Sequence, residues 1–127
     1  MKGTAQARQD LERLLNKLIA GYAPRRVFLF GSHAYGEPDE HSDLDLLIVK
    51  ETAKTPFQRR VEVGRIVQDR SRKTPIQPLV ITPEELEERI QRDDPFLTEI
   101  VKKGEILYDA DGIRPANPVN PVKQPRR

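Results

Sequence analysis

In the stretch GSHAYGEPDEHSDLDLLIV, Gly31 to Val49, a glycine and a serine follow a short apolar run, and two aspartates, Asp43 and Asp45, stand at the head of the next. Glycine lets an anion come close to the chain, and the backbone amides of such a turn, with the Ser32 hydroxyl beside them, make a ready phosphate cradle. Asp43 and Asp45 are spaced i, i+2, so on a strand both carboxylates point to one face while Leu44 and Leu46 fill the other. Two convergent carboxylates repel unless they share a proton or a cation, and hard oxygen donors beside a phosphate suit Mg²⁺. Each piece alone has a plainer reading: Gly-Ser is an ordinary turn, Asp43 a cap, Asp45 an exposed strand end. Taken together, a phosphate turn, a loop and paired acids on the next strand describe a metal-nucleotide site.

The elements that must position these residues can be traced from hydrophobic periodicity. Leu11, Leu14, Leu15, Leu18 and Ile19 recur at helical spacing between Ala5 and Tyr22, with Gly21 and Pro24 to end the helix. Val27 to Phe30 reads as a buried strand, Tyr35 to His41 as a loop, and Leu44 to Val49 as a second strand. Phe57, Val61, Val63, Ile66 and Val67 fit a helix between Thr55 and Arg70. Ile76 to Ile81 is a third strand whose Pro78 assigns it to a sheet edge or a bulge. Thr82-Pro83-Glu84-Glu85 opens a helix, with a capping threonine, a proline at the first position and acids against the positive end of the dipole. Phe96, Leu97, Ile100 and Val101 predict a further helix closed by Gly104, and Ile106 to Tyr108 a last strand. Strands alternating with helices predict a small α/β (α+β) layer structure over residues 1–109, followed by a Pro-rich extended or disordered tail over 110–127.

Composition narrows the class. The chain has 127 residues, enough for one domain with a modest core. Its 22 basic and 20 acidic residues leave a net charge of +2, a balance that does not mark a nucleic-acid binder, and aromatic residues for stacking bases are few. There is no cysteine, so disulfide and thiolate chemistry are excluded. No apolar run approaches the roughly 18 residues that a membrane span needs, and Met1 to Asp10 lacks a signal-peptide core, so a soluble cytoplasmic protein is expected.

The pattern Gly31-Ser32 followed by Asp43-x-Asp45 resembles the signature of the DNA polymerase β-like nucleotidyltransferase superfamily, and the resemblance extends from about Leu11 to Tyr108. Within it, GSHAYGE…SDLDLLIV resembles the minimal nucleotidyltransferases, often the antitoxin halves of toxin-antitoxin pairs with a HEPN-type ribonuclease. The resemblance implies the polymerase β-like fold, a small mixed sheet flanked by helices. It implies binding of ATP or another nucleoside triphosphate, Mg²⁺ as cofactor, and a HEPN-type protein as partner. Gly31 and Ser32 would hold the terminal phosphates; Asp43 and Asp45 would be the catalytic, Mg²⁺-coordinating pair, for in-line transfer of a nucleoside monophosphate to a hydroxyl.

One departure bears on activity. The family carries a third carboxylate on a later strand, just upstream of a helix-opening Thr-Pro-Glu, and here that position is Gln77. An amide can touch a metal but has no charge and cannot serve as a base. Nucleotide binding is then expected to survive while transfer is slow or lost, leaving a binding protein that acts on its partner by occlusion. If the register differs, Asp69 or Glu62 supplies the third ligand instead. His33 and His41 read as loop or helix-start residues and Ser42 as a turn cap. Arg25-Arg26, Arg59-Arg60 and the run Glu84 to Glu88 read as solvated faces.

Overall fold

The computed structural model describes residues 4–39 and 41–112. Helix α1 (Ala5–Tyr22) starts where the Thr4 hydroxyl accepts the Ala7 amide and stops at Ala23, whose φ of 52° is left-handed. Strand β1 (Arg26–Phe30), a single helical turn α2 (Ser32–Tyr35) and strand β2 (Leu44–Val49) follow. Helix α3 (Pro56–Ile66) and helix α4 (Pro83–Gln91) each begin with a threonine in a full capping box and a proline inside the first turn, and strand β3 (Ile76–Ile81) lies between them. Helix α5 (Pro95–Lys103) is capped by Asp94, and strand β4 (Glu105–Asp109) completes the fold.

The strands form one mixed sheet in the order β3-β2-β1-β4. β1 is antiparallel to both β2 and β4, while β2 and β3 are parallel. Pro78 sits inside β3, opposite Leu46, and β3 is an edge strand, as proline in a sheet requires. The central strands are apolar on both faces because helices cover both. Leu44, Leu46, Ile48, Val27 and Leu29 pack with Leu11, Leu14, Leu15 and Leu18 of α1 and Val63 of α3. Phe28, Leu47 and Val49 pack on the opposite face with Leu86 of α4 and Leu97 and Ile100 of α5.

Three expectations need correction. Phe57 and Val61 are not core residues of α3 but lie 66% and 38% exposed on its outer side. Arg59 is no solvated residue: only 5% exposed, it donates to the Lys54 and Val80 carbonyls and makes a paired contact with both Glu85 oxygens. Glu85 is accordingly a clamp between α3 and α4 rather than part of a solvated acidic face, because the guanidinium fork matches a carboxylate bidentately. Of the expected tail, residues 110–112 form a turn in which Ala110 donates to the Arg25 carbonyl; 113–127 lie outside the described residues.

The segment that leads into β3 is anchored from α1. Asp10, only 1% exposed, accepts the Lys73 and Thr74 amides at 3.1 and 2.8 Å, and Arg13 at 2.8 Å. Burial works against the Asp10 charge, but the bonds from Thr74, Lys73 and Gln6 outweigh it and lower the carboxyl below its ordinary range. Two residues on, Leu44 of β2 donates to the Pro75 carbonyl, so the start of β3 is held beside the start of β2. Asp10→Ala orphans the buried Thr74 amide, and we expect it to cost about 1–3 kcal/mol in urea unfolding; an unchanged midpoint would mean that the segment finds another acceptor.

Candidate active site

Phe30, Asp45 and Gln77 lie opposite one another in adjacent strands and form a row across one end of the sheet. Directly opposed residues project to the same face, so the C-terminus of β1 and the N-termini of β2 and β3 bring three side chains to one corner. Gly31 continues β1 into this corner with φ 78° and ψ −154°, a conformation that side chains essentially exclude. A Cβ at Gly31 would fall on Oδ2 of Asp45. Only glycine lets the turn lie against that carboxylate.

After Gly31 the chain closes one helical turn. The Ala34 and Tyr35 amides both donate to the Gly31 carbonyl at 3.0 Å, and these bonds do not engage the Ser32 and His33 amides. Those two N–H groups open the helical turn that follows Gly31, with the Ser32 side chain beside them.

The loop that delivers Asp43 is held at two points. Asp39 accepts the His41 amide at 2.8 Å and the Ser42 hydroxyl at 3.2 Å, and Ser42 in return accepts the Asp39 amide at 3.0 Å, so Ser42 caps the turn as expected. The bond from the His41 amide, aided by Ser42, holds the Asp39 carboxyl below its ordinary range. The second point is His33, which is 1% exposed and whose Nε2 lies 3.1 Å from the Ser42 carbonyl. A carbonyl only accepts, so Nε2 carries the hydrogen, and α2 is tied to the residue preceding Asp43. By sequence His33 reads as an ordinary loop or helix-start residue; nothing in its neighbours signals a contact formed nine residues away.

Asp43 and Asp45 are both half-buried. Burial, and after it the charge of Asp43, push the Asp45 carboxyl above the ordinary carboxylate range, against a smaller pull from His33. Gln77 donates through Nε2 to Oδ2 of Asp43 at 3.2 Å and thus stands next to the pair, at the position where the family resemblance predicts a third acid. Neither other candidate reaches it: Asp69 is engaged by Arg13 and Ser71, and Glu62 by Lys54. Among the described residues no third His, Cys, Asp or Glu joins the pair in a metal-sized group.

Two outcomes follow. Gly31→Ala carries a backbone cost of about 1–3 kcal/mol before any displacement of Asp45, to be read as a lowered urea midpoint; no change would contradict the close approach. Asp45 holds its proton more tightly folded than unfolded, so its ionisation costs stability above the raised value, and that cost disappears as pH falls toward the ordinary 3.8. Asp45→Asn should accordingly raise the melting temperature at pH 7 in divalent-free buffer, with the advantage shrinking as pH is lowered through that window. A lowered melting temperature at pH 7 would mean that the carboxylate already has a compensating partner.

The chain is 30% identical over 116 residues, covering 79% of itself and 76% of the relative, to a Methanocaldococcus jannaschii protein named as a putative protein adenylyltransferase. A crystal structure of a putative nucleotidyltransferase from Sulfolobus solfataricus superposes with a TM-score of 0.56 at 19% identity, covering 85% of this chain and 90% of that one, and so shares the fold. Among the described residues no helix is long and apolar enough to cross a membrane. Residues 12–113, which contain every element that builds the corner, match the family model "Polymerase beta, Nucleotidyltransferase", and the chain belongs to that family of transferases.

Proposed function

We propose that the chain transfers a nucleoside monophosphate from a nucleoside triphosphate, ATP by analogy with the adenylyltransferase relative, to a hydroxyl on a separate acceptor. The observation that carries the reading is the meeting of the Gly31 turn with the Asp43–Asp45 pair at one end of the sheet. The Ser32 and His33 amides and the Ser32 hydroxyl would receive the terminal phosphates. Asp43 and Asp45 offer only hard oxygen donors, and two neighbouring carboxylates on one face repel unless a cation lies between them, so the donor set fits Mg²⁺. When bound, the ion neutralises charge on the phosphates and lowers the pKa of the attacking hydroxyl.

In the transfer itself the acceptor oxygen forms a bond to the α-phosphorus, the bond to the β-phosphate oxygen breaks, and pyrophosphate leaves. The hydroxyl proton goes to a carboxylate of the pair or to water, since the Gln77 amide cannot take it. Gln77 also supports a second reading: its bond to Asp43 suits a nucleotide-binding protein with slow or no transfer that occludes a partner, for which resemblance suggests a HEPN-type ribonuclease.

Titration of ATP with and without Mg²⁺, joined to a transfer assay with α-labelled ATP, separates the readings. Asp43→Ala is expected to abolish the Mg²⁺-dependent part of binding. Gln77→Asp should raise transfer by about a hundredfold if a missing base limits the reaction. Transfer that is already fast and insensitive to Gln77→Asp would defeat the account of Gln77, and ATP binding indifferent to Asp43 would defeat the site.

A further inference from the structure

The corner holds an aromatic pair that the phosphate and acid chemistry leaves unused. Phe30 precedes Gly31 and stands in register with Asp45, so its ring shares the face of the carboxylate. The Phe96 ring meets it edge to face, with centroids 5.6 Å apart and planes at 84°. Phe96 is held from its own backbone: Asp94 accepts the Phe96 and Leu97 amides at 2.9 and 3.1 Å, fixing the first turn of α5 after Pro95. Yet Phe96 is 50% exposed, while its helix neighbours Leu97 and Ile100 are buried. Its open side leaves an aromatic face at the same end of the sheet as the turn and the acids, one on which a flat ring can stack.

We propose that Phe96, backed by Phe30, is the stacking surface for the nucleobase of the bound triphosphate. This rests on the reading of Gly31 and Ser32 as the phosphate site. The nucleotide is the favoured occupant because Phe30 and Gly31 are consecutive: a molecule held by its phosphates at the turn is tethered next to the ring pair, whereas a separate acceptor is not. Two phenylalanines have no hydrogen-bonding atoms on their rings, so the wall grips a π-face without reading base edges. ATP and GTP should therefore bind alike within about threefold, and both more tightly than UTP, which offers a smaller face to stack.

The test compares ATP with inorganic tripolyphosphate, which carries the charges and no base, each titrated with Mg²⁺ into the full chain and into Phe96→Ala and Phe96→Tyr. The expected result is about tenfold weaker ATP binding to Phe96→Ala, unchanged tripolyphosphate binding, and near-normal ATP binding to Phe96→Tyr, which keeps the ring. ATP binding that Phe96→Ala leaves intact overturns the stacking role while sparing the phosphate site. Equal weakening of both ligands also overturns it, since the ring would then act through the turn. Failure of the unsubstituted protein to bind either ligand overturns the phosphate-site reading, and the stacking surface with it.

Discussion

Backbone and carboxylate meet at Gly31 and Asp45 with no space for a side chain between them. For that contact to hold, β1 must end and β2 must begin at the same height in the sheet, and the turn after β1 must fold back over the acid. The antiparallel register that pairs Phe30 with Asp45 sets the height, and the helical turn closing on the Gly31 carbonyl sets the fold-back. Helices on both faces are needed to keep the two central strands dry and in register, because a slip of one residue would turn Asp45 into the core face that Leu44 and Leu46 now fill and turn those leucines out of it.

The other polar contacts that fix the fold are ties between segments far apart in the chain. His33 fastens α2 to the Asp43 loop, Asp10 fastens α1 to the lead-in of β3, and Arg59 with Glu85 fastens α3 to α4. Each uses a buried polar group whose partners are backbone carbonyls, backbone amides or a matched carboxylate. Such groups are expensive to bury unpaired, which makes them sharp in specifying geometry once paired. Asp45 is different: burial and, after it, the charge of Asp43 act against its ionised form.

Local sequence carried a good deal of this. Helical periodicity located α1 and α3, the capping Thr82 with Pro83 after it marked α4, and Pro78 marked the edge of the sheet. The spacing of Asp43 and Asp45, and the departure at Gln77, also led to residues that the fold brings together. What stayed hidden depends on long-range packing. Arg59 and Glu85 look like ordinary surface charges until α3 and α4 are laid side by side, and His33 looks like a loop residue until the loop returns to it. Phe57 and Val61 mislead in the other direction, since their spacing fits an apolar stripe that the fold leaves facing outward. The facing of Phe30 and Phe96 follows only from the path of α5 across the sheet.

Pro78 has a consequence for how the molecule meets others. An edge strand ordinarily offers a row of amides and carbonyls on which a foreign strand can grow, and proline removes a donor from the middle of that row. The sheet is thus protected from being extended at β3, both by copies of itself and by an extended peptide. A protein that approaches the acid corner from this side has to dock through side chains on a blunt border rather than by continuing the sheet.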